Sequence, residues 1–302
     1  MNAIKIDENI LSSEASVFLK KLILEGFDVT KIRDLPKNRV GDEIFSYVLF
    51  QICHGRTPTK EKLFNDILYN TKVTNEIIDP LRVFISDKEY VKIFVKSVVG
   101  DIYNVPTIGI IRNIKEIDNY EFTLNCIIKP THLSGKTILK LDSSAINIDE
   151  IKSWFNINYY DIWREANYRS LKPKIIIEPI LFNDLNLNDY KFFCYKGKVK
   201  LIQVDLDRRT NHTRLFFDTK WNKKEFSIGY PLSKNLPEIP LNLENMINIV
   251  ELLAVYFDFI RIDLYSNGDK CYVGEITNCH GSAMEKIIPH TAEKELSNNI
   301  FN

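Results

Sequence analysis

Cysteine is scarce in this sequence, with five residues among 302. The five are widely spaced and include no Cys-x-x-Cys pair. An odd, dispersed set indicates neither a disulfide framework nor a zinc site. We therefore expect reduced, mostly buried thiols, as is usual in a cytoplasmic protein.

Net charge and long apolar runs are also missing. Forty basic residues balance forty acidic ones, so no global field attracts nucleic acid or anionic lipid. No stretch reaches the roughly 18 uninterrupted apolar residues of a membrane span. The first ten residues carry two acids and no apolar run of signal-peptide length. What remains, 45% hydrophobic and 26% charged residues, is typical of a globular protein with two or three subdomains.

Helical patterns fill the chain up to about residue 86. An apolar stripe near residues 17–24 ends at Gly26, and two similar stretches follow, the second with Thr59 as its expected N-cap. A further helix should start at Ser86-Asp87 and stop at Gly100. We expect an N-terminal helical region over residues 1–86 and a catalytic region over residues 87–302.

From residue 105 the pattern changes to short β-rich runs. Lys196-Gly197 and Asn267-Gly268 supply turns between such runs. Two helical stretches, around residues 148–166 and 243–258, interrupt them. Strand runs joined by hairpins and interspersed with helices predict an α+β fold with largely antiparallel sheets.

The densest group of candidate site residues lies in the segment FIRIDLYSNGDKCYVGEITNCHGSA. Arg261 and Asp263 are two apart on a predicted strand and share one face, and Glu275 follows twelve residues after Asp263. Burying two acids on one face requires a counter-charge, which Mg²⁺ with phosphate oxygens can supply. The same spacing also suits a solvated hairpin face with a surface ion pair.

The turn of this hairpin decides whether the two acids meet. A two-residue Asn-Gly turn would place Asp263 and Glu275 on opposite faces, because a one-residue slip reverses every side chain. We therefore expect either a three- to five-residue loop or a bulge. If both acids hold a metal, Asp263→Asn and Glu275→Gln should abolish turnover and leave the fold nearly unchanged.

A second group lies in CIIKPTHLSGKTILK. A predicted strand ends at Lys129, and a loop with Ser134 and Gly135 leads into the next strand. Backbone N–H groups of such a loop, with a lysine behind them, can clamp a polyphosphate. A plain hairpin with an exposed lysine fits equally, since the segment is neither a Walker motif nor a GxGxxG.

A third group lies in KPKIIIEPILFNDLNLNDYKFF, where an apolar run ends at Glu178 and Asp189 follows. A hinge of this kind can present backbone groups to an adenine and a carboxylate to ribose hydroxyls. A buried strand followed by a polar surface loop is the alternative.

The fourth group, VDLDRRTNHTR, contains Asp205, Asp207, Arg208 and His212. Asp-x-Asp after a strand also marks metal-dependent glycosyltransferases, so this motif leaves the chemistry open. A lone histidine is more often structural than catalytic, but its dense polar neighbours make Arg208 and His212 candidate catalytic residues.

These segments, in this order, resemble the ATP-grasp superfamily and, within it, the TupA-like proteins of teichuronopeptide biosynthesis. The resemblance covers roughly residues 55–288. The motifs that carry it are SDKEYVK, CIIKPTHLSG, KPKIIIEPIL, DYKFFCYKGKVKLIQVDLDRRTNH, WNKKEFSIGYP and FIRIDLYSNGDKCYVGEIT.

The resemblance implies two α+β lobes, over about residues 105–180 and 181–290, with ATP between their antiparallel sheets. It also implies that residues 131–136 close over the phosphates and that the backbone from Glu178 to Leu181 forms the adenine hinge. The residues implied to bind the nucleotide are Lys88, Lys129, Ser134, Gly135, Glu178, Leu181, Asp189 and Lys191.

For the metal, the resemblance implies that Asp263 and Glu275 bind magnesium and that Arg261 steadies phosphoryl transfer. The superfamily usually has Asn two residues after the second metal acid, where this chain has Thr277. The Thr277 hydroxyl is a weaker ligand, and the neighbouring Asn278 is a candidate substitute.

The implied activity is that of an ATP- and Mg²⁺-dependent carboxylate–amine ligase acting through an acyl phosphate. Family analogy suggests a uronic acid of a cell-surface or capsular polysaccharide as the carboxylate and an amino acid or amine as its partner. Alternatives are a sugar or glycan kinase on the same fold, a glycosyltransferase using Asp205 and Asp207, and a non-catalytic nucleotide-binding protein.

Overall fold

A computed structural model describes residues 4–302. The helices are α1 Ser13–Leu24, α2 Arg39–His54, α3 Phe64–Val73, α4 Pro80–Ile85, α5 Tyr90–Val98, α6 Ile148–Ser153, α7 Tyr159–Trp163, α8 Leu243–Ala254 and α9 Glu293–Phe301. The strands are β1 Gly109–Ile111, β2 Cys126–Pro130, β3 Ile138–Lys140, β4 Ile175–Pro179, β5 Asp189–Tyr195, β6 Lys198–Leu206, β7 Thr213–Phe217, β8 Lys223–Lys224, β9 Ser227–Ile228, β10 Phe259–Ser266, β11 Cys271–Thr277 and β12 Ile287–Ile288.

The expected N-cap at Thr59 is wrong, because α3 begins only at Phe64. Residues before it wrap around a buried ion pair in which the Asp66 carboxylate accepts from Arg56 at 2.8 Å and from the Thr59 amide at 2.7 Å. The entry to α5 agrees better with its prediction: Asp87 accepts from the Glu89 amide at 2.9 Å, and Gly100 follows the helix end with a φ of 103°.

The stretch around residues 148–166 is helical only in parts. It contains the short helices α6 and α7, and α7 ends at Arg164, whose φ is +55°. This left-handed residue turns the chain and brings the segment after α7 back toward the centre of the molecule.

A smaller sheet has the strand order β1-β4-β2-β3, and its pairs are antiparallel. Branched residues dominate it, as expected for strands with a buried face. Ile128, Ile175 and Ile177 pack there against Ile151 and Trp154, which is fully buried. The smaller sheet therefore has its own core.

The larger sheet has the order β11-β10-β5-β6-β7-β8 and is also antiparallel. Lys196 and Gly197 join β5 to β6 with φ values of 50° and 72°, the two positive angles that a tight hairpin turn requires. One face, with Phe192 and Ile262, packs against α8 around Leu253. The predicted α+β fold with antiparallel sheets is confirmed.

The opposite face of this sheet is apolar at one end of its strands and charged at the other. Phe193 and Phe259 contact the ring of Phe64 in α3, with ring centroids 5.7 and 6.2 Å apart. Farther along the same strands, the side chains on this face become charged. The N-terminal helices thus share one core with the sheet, and the domain boundary at residue 86 stays a prediction.

The hairpin of β10 and β11 contains the expected bulge. Its loop has four residues, 267–270, and the register pairs Asp263 with Glu275 but Leu264 with Val273, so that Gly274 has no partner. A side chain at Gly274 would meet the Tyr265 ring at 2.6 Å. The extra residue restores the register, and the two acids lie opposite each other as predicted.

The five cysteines are free, and four of them are buried, as expected. Within the described part of the chain, no helix combines the length and the apolar character that crossing a membrane requires.

Candidate active site

Two adjoining cavities lie where the two sheets approach each other. The main cavity has a volume of about 820 Å³ and the smaller one about 340 Å³. Lys129 of the smaller sheet, Asp189 of the larger sheet and Arg208 line both. The structure therefore brings most of the predicted site residues around one continuous space.

Glu178 of the smaller sheet pairs with two lysines. Its buried carboxylate lies 2.5 Å from Lys129 Nζ and 2.6 Å from Lys92 Nζ. Burial alone would raise the pKa of Glu178, but the two lysines outweigh it and lower that pKa. One carboxylate thus holds two ammonium groups, which leaves a net positive charge for an anionic ligand.

The smaller cavity has apolar walls above this ion pair. Val105, Ile127 and Leu139 line one part, and the backbone from Glu178 to Leu181 lines another. Apolar walls with a few convergent polar groups suit a flat heteroaromatic ring. The position of residues 178–181 therefore fits the predicted adenine hinge.

Lys88 lies behind the loop of residues 131–136. Its Nζ donates to the Leu133 carbonyl at 2.7 Å, and burial lowers its pKa. Ser134 and Gly135 line the main cavity beside it, and Gly135 has a φ of 74°. The loop and Lys88 together line the main cavity, and the phosphate clamp stays a prediction.

Arg261 and Asp263 form the centre of the site on the larger sheet. Arg261 Nε and Nη2 donate to the two Asp263 oxygens at 2.7 and 2.8 Å, and Lys191 Nζ donates to Asp263 at 2.7 Å. Burial would raise the pKa of Asp263, but Arg261 and Lys191 outweigh it and bring that pKa to about 2. Asp263 is therefore ionised at any physiological pH.

Glu275 differs from Asp263, although the two are cross-strand neighbours. It is half-buried in the main cavity, and no side-chain cation within residues 4–302 lies within 4.0 Å of it. In the same part of the chain, no three His, Cys, Asp or Glu side chains are arranged to hold a metal. Asp263 and Glu275 fit a Mg²⁺ ion only if phosphate oxygens complete its coordination.

Of the two residues suggested to complete this site, Thr277 lines the main cavity and its metal role stays a prediction, whereas Asn278 does not line that cavity. Thr277 Oγ1 accepts from Arg261 Nη2 at 2.9 Å. Asn278 points to the other face of the strand, where its amide donates to the Arg82 carbonyl at 3.0 Å and its oxygen accepts from Arg82 Nη1 at 3.1 Å. The suggestion that Asn278 replaces the usual metal-binding Asn is wrong, because Arg82 occupies both ends of the Asn278 amide outside the main cavity.

Asp189 lies between the two cavities. Its Oδ2 accepts from Lys191 at 2.5 Å and from Arg208 at 2.6 Å, whereas its buried Oδ1 has no hydrogen-bond partner in the described chain. An unsatisfied buried acceptor is costly. Hydroxyl groups of a ribose would satisfy it, which fits the predicted role of Asp189.

The residues of the Asp-x-Asp motif do not form one site. Asp205 is buried and accepts from Arg214 Nε at 2.8 Å in the main cavity, whereas Asp207 is exposed and lines the smaller one. His212 packs against Tyr230 with ring centroids 3.8 Å apart and lines neither cavity. Separated aspartates on antiparallel sheets argue against the glycosyltransferase, and a catalytic role of His212 stays a prediction.

Several residues of the site were not predicted from the sequence. His280 Nδ1 accepts from Arg261, and its Nε2 lies 3.1 Å from Glu285. Glu165 lines the same cavity from the segment after α7. Lys92 and His280 lie inside the quoted segments SDKEYVK and FIRIDLYSNGDKCYVGEITNCHGSA but had no predicted role there, whereas Glu165 lies outside any motif.

Two antiparallel sheets with a lysine-lined cleft between them define the ATP-grasp class of proteins. A family model described as TupA-like ATPgrasp matches residues 67–301, which is most of the chain. The chain belongs to the TupA-like ATP-grasp family, and the resemblance drawn from its motifs is confirmed. No curated protein sequence matches it significantly.

Distant similarity extends to solved ATP-grasp structures. D-alanine-D-alanine ligase from Helicobacter pylori is 15% identical with a TM-score of 0.36, covering 67% of this chain and 53% of that one. L-amino acid ligase from Bacillus licheniformis is 13% identical with a TM-score of 0.44, covering 84% and 58%. The ATP-grasp ligase PsnB with a minimal precursor is 11% identical with a TM-score of 0.35, covering 64% and 51%. The chain spans little more than half the length of these proteins, and the family assignment rests on the sequence match.

Proposed function

We propose that this protein is an ATP- and Mg²⁺-dependent carboxylate–amine ligase that acts through an acyl phosphate. The observation that carries the proposal is the arrangement of charges across the cleft. Lys88 and Lys129 stand on one side, and Arg261, Asp263 and Glu275 stand on the other. Phosphoryl transfer needs this kind of positioning and electrostatic stabilisation rather than a protein nucleophile.

Each side of the cleft has its own task in this proposal. Lys88, Lys129 and the loop of residues 131–136 bind the phosphates, while Asp189 and the backbone of residues 178–181 bind ribose and adenine. Asp263 and Glu275 would hold Mg²⁺, which spreads the charge of the phosphates when bound. Arg261, held in place by Asp263, stabilises negative charge at the reacting centre.

We further propose that the carboxylate belongs to a uronic acid of a cell-surface polysaccharide or its precursor, and the amine to an amino acid. Family membership supports this substrate class by analogy. The reaction would take place in the cytoplasm, where ATP is present.

The test is the release of ADP by the purified protein with Mg-ATP. Glucuronate or galacturonate and a set of amino acids are added separately and then together. A ligase releases ADP fastest when both are present and forms an amide that mass spectrometry detects. Release with the sugar alone and a phosphorylated hydroxyl would show a kinase instead, and no release under any condition would contradict both.

A further inference from the structure

The main cavity extends beyond the residues assigned to ATP and Mg²⁺. At its far end lie Tyr159 and Trp163 of α7 and Tyr168 just after it, together with Phe45 of α2. The Tyr159 and Tyr168 rings lie 4.6 Å apart, centroid to centroid. Aromatic side chains thus line a part of the cavity that adjoins the phosphate-binding loop, since the Tyr159 hydroxyl contacts Ser134.

Glu165 is the carboxylate at this aromatic end. It is 4% exposed and lines the cavity. Within residues 4–302, no side-chain cation lies within 4.0 Å of it. The other lining carboxylates apart from Glu275 all have an ion-pair partner: Asp189, Asp205, Asp263 and Glu285.

The nearest cation does not neutralise Glu165 directly. Lys72 is buried and donates to Ser282 Oγ at 2.8 Å, and the Ser282 hydroxyl in turn contacts the Glu165 carboxylate. Burial raises the pKa of Glu165 to about 7, with Lys72 and Arg261 opposing the shift and Glu275 adding to it. A buried carboxylate without a cation is costly, and a cationic ligand would remove that cost.

We propose that Glu165 binds the ammonium group of the amine substrate at this aromatic end and accepts one of its protons. The inference rests on the proposed ligase function, of which it names the second-substrate site. An ammonium group beside a carboxylate gains a charge-assisted hydrogen bond. The faces of Tyr159 and Tyr168 add a cation–π attraction.

The position of Glu165 suits the second half of the reaction. The ammonium group gives one proton to the Glu165 carboxylate, and the free amine nitrogen attacks the carbonyl carbon of the acyl phosphate. The C–N bond forms, the C–O bond to phosphate breaks with its electron pair on oxygen, and the phosphate takes the second proton from nitrogen. Arg261 and Glu275 are near enough to shift the Glu165 pKa, so the amine is held beside the reacting centre.

The experiment compares two nucleophiles with the Glu165→Gln variant, Mg-ATP and glucuronate or galacturonate. Amino acids present an ammonium group, whereas hydroxylamine is uncharged at neutral pH and traps an acyl phosphate as a hydroxamate without a base. We expect the variant to keep forming hydroxamate. We expect the kcat/KM for the amino acid to fall about ten- to a hundredfold, the loss of one charge-assisted contact.

Asp161→Asn is the matched control, because Asp161 is an exposed carboxylate of α7 whose partner is Lys37 at the surface. It should leave both reactions unchanged. A Glu165→Gln protein that ligates amino acids as well as the wild type would overturn the inference and leave the ligase standing. A wild-type protein that forms no hydroxamate would overturn the proposed function itself, whereas a variant that loses both reactions equally would reduce Glu165 to a structural role.

Discussion

At the strand end of the main cavity, Arg261, Asp263 and Lys191 form one continuous set of ion pairs. At the aromatic end, Glu165 has no side-chain cation within 4.0 Å among residues 4–302. The paired set holds its side chains in one geometry before any ligand arrives. The unpaired Glu165 carboxylate gains a stabilising partner only when a cationic ligand binds. Charged residues with a protein counter-charge are thus held in place for the reaction, whereas a carboxylate without one is available to bind a cationic ligand.

Asp263 and Glu275, which are opposite each other on β10 and β11, show the same difference between a paired and an unpaired acid. Asp263→Asn and Glu275→Gln should each lower turnover about 10²–10³-fold, because each removes charge that acts at the reacting centre. Only Asp263→Asn leaves Arg261 and Lys191 without their shared partner, at a cost of about 3–5 kcal/mol in the free energy of unfolding. The expectation that both variants leave the fold nearly unchanged is therefore revised for Asp263.

Steady-state ADP release and urea denaturation measure the two effects. Asp269→Asn, in the exposed loop of the same hairpin, is the control for both. A fully active Glu275→Gln protein would remove the metal assignment. Equal stability loss in the two variants would break the distinction between paired and unpaired acids.

The Lys129–Glu178 ion pair of the smaller sheet tests whether a paired cation also binds a ligand. Lys129→Ala leaves Glu178 with Lys92 at 2.6 Å, so the fold should persist. ATP binding should weaken by about 1.5–3 kcal/mol, the value of one contact to a charged group. Isothermal titration calorimetry with a non-hydrolysable ATP analogue measures this, and Lys140→Ala on β3 is the control. Unchanged affinity in a folded Lys129→Ala protein would rule out the phosphate role.

Glu165 at the aromatic end of the main cavity and Asp263 at its strand end should change the free energy of unfolding with pH in opposite directions. Between pH 4.5 and about 7, folded Glu165 keeps a proton that the unfolded chain has lost, so its contribution to the free energy of unfolding falls as pH rises. The Glu165→Gln variant lacks this titration. The free energy of unfolding of the variant, relative to that of the wild type, should therefore be higher at about pH 8 than at about pH 5, by roughly 3 kcal/mol at most.

Asp263 should show the reverse in acid. Its pKa is lowered from 3.8 to about 2, so its contribution is complete above pH 4 and is lost as pH falls toward 2, on the order of 2 kcal/mol. Denaturant titrations of wild type, Glu165→Gln and Asp263→Asn across this range give both signs. Parallel stability curves for all three proteins would contradict the assignments.

Local sequence determined much of this protein. Periodicity and turn residues predicted the antiparallel hairpins, including the Lys196-Gly197 turn, and the spacing of Asp263 and Glu275 required the bulge now found at Gly274. Ordered motifs also predicted the family and many of the residues that line the cleft. These signals are local because a strand's register and a turn's backbone angles depend on residues a few positions apart.

Tertiary structure decided the rest. It separated Asp205 from Asp207, turned Asn278 away from Glu275 and brought Glu165 into the cavity that Phe45 of α2 also lines. No motif around Glu165 or Phe45 predicts that the two residues line the same cavity. Which charges are paired and which stay free depends largely on contacts between residues tens of positions apart, such as Lys129 with Glu178 and Lys191 with Asp263, and only the packed fold fixes those contacts.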